Sequence, residues 1–283
     1  MSMTDVRRVR IGHSPDPDDA FMYYAIARGK VDTAGFAVEQ VLEDIESLNR
    51  RALAGELEVT AISIHAYAHL ADRYALMACG ASMGDGYGPI VVAREAMAAG
   101  ELRGKTIAIP GTLTSAYLAL RLCLGGEFPF VVVPFDEILD VVAAGRADAG
   151  LIIHEGQLTY DTLGLLKIVD LGVWWGALTG GLPLPLGGNA VRRDLGAATM
   201  RALTKMYKDS IAFGLANRAE ALAYAKDFGR GLDDGLNDRF VGMYVNDLTL
   251  DYGERGRRSI QRFLDEGTAA GIVPPVGPVT FVS

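Results

Sequence analysis

Residues 53–67, LAGELEVTAISIHAY, and residues 143–157, AAGRADAGLIIHEGQ, follow one plan. In each, Ala-Gly closes a helical run, two residues follow, an acid (Glu58 or Asp148) comes next, and an apolar strand then ends at a histidine. With Gly55 aligned on Gly145, His65 and His154 fall within one position of each other. The repeat predicts two similar α/β lobes, each presenting the carboxyl end of a strand, which is where ligands bind in open α/β sheets.

The flanking sequence extends this pattern. VRRVRIGHS (6–14) reads as a strand and DAFMYYAIARG (19–29) as a helix closed by Gly29. FAVEQVLED (36–44) alternates like a strand, and Ile45, Leu48 and Ala52 have helical spacing up to Gly55. PIVVAR, KTIAIPG, FVVVPF, AGLIIHE and LKIVDLG read as further strands, with helices from Ser115 to Leu124 and over FDEILDVVAAG. From residue 196 onward the chain is mostly amphipathic helix. Such alternation predicts an α/β architecture with largely parallel sheets. GPIVVAREAM (88–97) and GLPLPLGGNAVRR (181–193) read as crossings between lobes. The expected division is a discontinuous large lobe, 1–90 with 188–283, and an inserted small lobe, 91–187, with a ligand cleft between them.

Composition narrows the function. The 283 residues are half hydrophobic, enough for a real core, and the net charge of −8 weighs against nucleic acid or an anionic membrane as partner. Cys79 and Cys123 lie far apart in apolar surroundings and read as buried, reduced thiols. No run approaches roughly 20 apolar residues, and MSMTDVRRVRIGHSPD has no apolar stretch of signal-peptide length, so a cytoplasmic protein is expected.

Three stretches are candidates for chemistry. In SPDPDD (14–19), Asp16 as N-cap, Pro17 at the first helical position and Asp18 and Asp19 in the first turn make a strong helix start. A divalent-metal site is the sharper alternative, though supporting ligands are missing, and three acids would repel a phosphate. On either reading Ser14 faces the cleft. In PGTLTSAYLALRL (110–122), Thr112, Thr114 and Ser115 open a helix whose first amides suit an anionic oxygen; an ordinary N-cap by Thr112 or Thr114 explains the same residues. In GLIIHE (150–155), His154 is either a base at the cleft or a structural histidine bonded to a carbonyl. His65 and His69 share a helix face but lack a third ligand for zinc. No nucleophile elbow, P-loop or dinucleotide fingerprint is present. GASMGDGYGP (80–89) reads as a flexible loop, and Trp174 and Trp175 as packing or as a wall for an aromatic ligand.

Taken together, GHSPDPDDAF (12–21), VLEDIESLNRRAL, GPIVVAR, GLIIHE, IVDLGVWWGALTGGLPLPLG and YVNDLTLDYGERGRR run in the order of a known family. The chain resembles the 1,4-dihydroxy-6-naphthoate synthases of the futalosine route to menaquinone, from Ile11 to about Val276. The resemblance implies a two-lobed fold similar to type II periplasmic binding proteins with a central cleft. It also implies carbon–carbon cleavage of cyclic dehypoxanthine futalosine without metal or organic cofactor. His154 would be the base. Substrate-binding positions would be Ser14, Asp44, Ser63, Thr114, Ser115, Ala116 and Gly187, with a ligand carboxylate at Thr114–Ala116. Asp16 and Asp18 depart from the family, which often has Cys and Asn there. The same superfamily holds chorismate dehydratases and non-catalytic binding proteins of small carboxylates, and these remain the alternatives. Oligomeric state is not legible.

Overall fold

Strand Arg8–His13 and the wholly buried strand Val59–Ser63 lie side by side in a seven-stranded sheet. The order is Phe281–Val282, Tyr74–Met77, Leu184–Arg192, Val59–Ser63, Arg8–His13, Ala37–Leu42, and Ser82–Gly84 adds on to Leu184–Arg192. A second sheet of five strands runs Leu166–Asp170, Ile90–Ala93, Ala149–Ile152, Ile107–Ile109, Phe130–Val132. The computed structural model describes residues 7–230 and 232–283.

The repeat read from sequence is a repeat of structure. Gly55 and Gly145 end their helices with left-handed φ of 73° and 74°. The strands that follow pair in parallel with the first strand of their sheet or its counterpart, Ile11 opposite Val59 and Ile107 opposite Ala149. Glu58 accepts the Arg10 amide at 3.0 Å, and Asp148 accepts the Thr106 amide at 2.8 Å. In both units an acid thus satisfies a backbone donor at the start of the neighbouring strand.

The sheets are mixed rather than largely parallel. Strands Ile90–Ala93 and Leu184–Arg192, which carry the two crossings, both pair antiparallel with their neighbours. A chain that returns from the other sheet enters against the direction set by a strand–helix–strand unit, so the parallel expectation fails at the crossings. The 80–89 stretch is likewise not simply a loop, since Ser82–Gly84 pairs with Leu184–Gly187. IVDLGVWWG turns into helix Leu171–Thr179, capped by the Asp170 carboxylate.

Helices complete both faces. In Gly253–Ala269, Ile260, Phe263, Leu264 and Gly267 recur at helical spacing and are buried. The largest core cluster takes Ile62 and Leu76 from one sheet and Val91, Ile107 and Leu151 from the other, so apolar packing runs continuously between them. Trp175 is fully buried in it and donates to the Pro183 carbonyl and to Ser259 Oγ, which makes it a packing residue. Among the described residues no helix is long and apolar enough to cross a membrane.

Candidate active site

A cavity opens where the carboxyl ends of Arg8–His13, Val59–Ser63 and Ala149–Ile152 meet the start of helix Ser115–Leu124. Its wall includes Ser14, Ser63, Thr114, Ser115, Ala116, His154 and Gly187. Seven of the eight positions expected from sequence are therefore brought together. The eighth, Asp44, does not line it. Its carboxylate caps helix Ile45–Ala54, accepting from the Glu46 and Ser47 amides at 3.0 and 3.1 Å and from the Ser47 hydroxyl at 2.5 Å. A side chain with its acceptors filled by its own helix has little left for a ligand, and Ile45 takes its place in the wall.

SPDPDD is a helix start in backbone only. Asp16 is extended (φ −113°, ψ 153°), its carbonyl accepts the first helical bond from Ala20, and Pro17 begins helix Pro17–Ala27. Its side chain makes no cap. Instead Oδ2 lies 3.0 Å from His154 Nδ1, and Oδ1 lies 2.8 Å from an Arg230 guanidinium nitrogen. Arg230 also reaches Glu155 Oε1 at 2.9 Å and the Pro15 carbonyl at 3.1 Å. Phe135 packs on this group, 4.0 Å from the His154 ring and 4.4 Å from the guanidinium. His154 Nε2 is buried in the cavity wall and has no partner among the described residues.

Their surroundings push the three acids of this stretch in different directions. Burial works against ionised Asp16, but His154, Arg230 and the Ser14 hydroxyl outweigh it and hold this carboxyl below the usual range. Burial, with Asp19 and Asp16 nearby, pushes Asp18 up to about 8. Burial also raises Asp19 against the opposing pull of His13 and Ser14. Ser14 Oγ lies 2.6 Å from Asp16 Oδ2 and 2.7 Å from Asp19 Oδ2. One hydroxyl hydrogen serves only one of them at a time. His154 is opposed by burial, yet Asp16 and then Glu155 raise it above the ordinary imidazole value.

Asp16, His154 and Glu155 bring ligand-type atoms within 4.8 Å of one another. Arg230 already bridges the two carboxylates, so their charge is met by a guanidinium and the cluster reads as an ion-pair network.

On the helix side, both hydroxyls expected to face a ligand are used within the protein. Thr114 Oγ1 caps Tyr117 N at 3.2 Å and donates to the Gly111 carbonyl at 2.9 Å. Ser115 Oγ donates to the Leu186 carbonyl and accepts the His65 amide at 3.1 Å. What the start of the helix offers the cavity is the Ser115 and Ala116 amides, which have no acceptor within an α-helix, and the positive end of its dipole. Two other histidines are structural: His65 Nδ1 sits 3.1 Å from the Thr114 carbonyl, and His13 Nδ1 2.8 Å from that of Ser14. Sequence reading missed Arg230, Phe135, Ser82, Asn189, Phe240 and Tyr244. Ser82, Phe135, Asn189 and Tyr244 lie in stretches quoted for other reasons, and the isolated Arg in FGRGLDD gave no signal.

A cleft walled by strand ends and a helix N-terminus, between two sheets crossed twice by the chain, defines the binding-protein type of fold. Solved structures agree. The chain is similar to an alkanesulfonate-binding protein from Xanthomonas axonopodis bound to MOPS (TM-score 0.71, 16% identity, 96% of each chain). It is also similar to a Candida albicans protein described as having the generic periplasmic binding protein fold (TM-score 0.70, 13% identity, 97% of this chain and 93% of that one). A crystal structure of an Archaeoglobus fulgidus protein is nearer still, with TM-score 0.89 and 47% identity over 94% of this chain and 98% of that one. Among curated proteins, a 1,4-dihydroxy-6-naphthoate synthase of Thermus thermophilus is 44% identical over 97% of this chain and 99% of its own length. The synthase of Streptomyces coelicolor is 38% identical over 95% of this chain and 96% of its own length. A family profile described as menaquinone biosynthesis matches residues 9–269, and the chain belongs to this menaquinone biosynthesis family.

Proposed function

We propose that the chain is a 1,4-dihydroxy-6-naphthoate synthase, a carbon–carbon lyase that releases this product from cyclic dehypoxanthine futalosine. The names of its full-length relatives support the reaction. The observation that carries the reading is His154: an imidazole in the cavity wall whose Nδ1 faces a carboxylate and whose Nε2 is buried with no partner among the described residues. That arrangement suits a general base, because a proton on Nδ1 leaves the lone pair on Nε2. Nε2 takes a proton from the sugar part of the substrate and so starts the cleavage.

The substrate carboxylate binds the Ser115 and Ala116 amides at the helix start. Three aspartates in the wall need not repel it, since Asp18 and Asp19 are pushed toward the neutral acid and Asp16 is paired with Arg230. Segment 91–187 forms the small lobe, and its closure on the rest excludes water. The reaction takes place in the cytoplasm.

The test is incubation of purified protein with cyclic dehypoxanthine futalosine, followed by mass spectrometry. Formation of the naphthoate and its loss in His154→Asn support the proposal. No product from the wild type, or an unchanged rate in the variant, overturns it. Tight binding without turnover would make the protein a carboxylate-binding protein instead.

A further inference from the structure

The residues around His154 come from both halves of the fold. Asp16 follows strand Arg8–His13 of the seven-stranded sheet, whereas His154 and Glu155 follow strand Ala149–Ile152 of the other. Arg230 comes from the helical C-terminal part of the chain and spans the gap, with one guanidinium nitrogen on Asp16 and the other on Glu155. Asp16 is 3% exposed, and a carboxylate that deep is tolerated only when paired and hydrogen-bonded. Every partner it has is polar and directed: Arg230, the Ser14 hydroxyl and His154.

We infer that Asp16 is a positioning residue for the base, its carboxylate fixing the His154 ring so that Nε2 presents its lone pair to the cavity. The inference rests on the reading of His154 as base and adds the residue that orients it in this chain. With Nδ1–H toward Asp16 Oδ2, only Nε2 can accept a proton in the neutral ring. When Nε2 takes the carbon-bound proton, Asp16 stays ionised and neutralises the new imidazolium. Arg230 and Ser14 keep the carboxylate from rotating away or taking that proton itself. Asp16 and His154 follow strands of different sheets, so both halves of the fold contribute to the pair.

The charged and titratable groups facing His154 are Asp16 and Glu155, which raise its proton affinity, and Arg230, which lowers it. Asp18 lies close enough for His154 to stabilise its anion, and Asp19 stands behind Asp16 with His13 at its back. Phe135 is uncharged. Removing Asp16 and removing Arg230 should therefore move the His154 titration in opposite directions, which loss of packing alone would not do.

The experiment is an NMR titration of ¹⁵N-histidine-labelled protein, with kinetics on the same samples. The chain has four histidines, and His154→Asn assigns the one of interest. In Asp16→Asn the His154 titration should fall by about one pH unit or more. The acid limb of kcat/KM should follow it, and kcat should drop roughly 100-fold or more with KM within about threefold. In Arg230→Gln the titration should rise. An Asp16→Asn protein whose His154 titrates as before, or whose kcat stays within about twofold, overturns the inference. If Asp16→Asn does not fold, Arg230→Gln decides, and an unmoved titration overturns. If the wild type makes no naphthoate, the functional reading fails, while the NMR titrations still decide whether Asp16 holds the ring.

Discussion

His65 and His154 stand at matching places in the two repeats and meet opposite surroundings. Each comes just after a buried strand that follows a left-handed glycine and an acid. His65 finds a backbone carbonyl, Thr114 O, and no carboxylate; burial pushes it down to about 4, so it is neutral. His154 finds Asp16 at 3.0 Å, and its proton affinity is raised against the opposing effect of burial. Position in the fold alone thus does not set a histidine's proton affinity here. A repeated strand end supplies the place, and a partner brought from elsewhere in the chain supplies the chemistry.

The sharpest break of this comparison is substitution of each histidine in turn. His154→Asn should lose turnover by roughly 10³-fold and also some stability, because it removes the Nδ1 contact to the buried Asp16 carboxylate. His65→Asn should keep kcat within about tenfold but cost about 1–2 kcal/mol, measured by denaturant unfolding, from the broken buried contact. The pH signs also differ. The folded pKa of His65 is depressed, so wild-type stability should fall as pH drops from 6.5 toward about 4, and His65→Asn should flatten that slope. Turnover rising equally in both variants, or lost equally in both, would remove the distinction.

A smaller effect is expected from the acid that shares the His154 side of the cavity. Asp18 is raised to about 8, so the folded protein holds a proton there that the unfolded chain has given up above about 4. Stability must therefore decline as pH climbs through that window and level off above about 8. Asp18→Asn keeps the shape and the acceptor for the Ser82 hydroxyl at 3.2 Å while removing the ionisation. It should stabilise the protein by roughly 1–3 kcal/mol near pH 8 and by much less near pH 4. Thermal unfolding at the two pH values checks this; an equal change at both would mean that Asp18 ionises freely.

How much of this was legible in the sequence follows from the range of each interaction. The repeat, the strand ends and the helix start at Thr114 are local patterns, set by residues a few positions apart, and the chain shows them openly. Asp44 was misplaced because a carboxylate before a helix fits both a ligand site and a cap, and only the turn shows Ser47 and the Glu46 amide filling it. Asp16 was read as a cap for the same reason in reverse: its backbone does start a helix, but its side chain answers to Arg230 and His154, far along the chain. Trp175 was left between packing and ligand wall because its burial is decided by helix Gly253–Ala269, which supplies Ser259 and Phe263. The mixed sheets were missed because strand direction at a crossing depends on where the chain comes from, which periodicity does not record.

The smallest expected effect tests whether the two repeats are alike where they are not asked to differ. Gly55 and Gly145 hold φ of 73° and 74°, where an L side chain is strained, so alanine at either should cost about 1 kcal/mol. The surroundings then rank them. A Cβ at Gly55 would lie 3.1 Å from Arg73 Cδ, tight enough that the Arg73 side chain must give, while one at Gly145 would meet Arg94 no nearer than 3.5 Å, an ordinary contact. Gly55→Ala should therefore be the more costly by a few tenths of a kcal/mol, with kcat changed in neither. If instead Gly145→Ala also lowered kcat, the left-handed turn before strand Ala149–Ile152 would be setting the place of His154. The repeat would then differ in its backbone as well as in the partners its histidines meet.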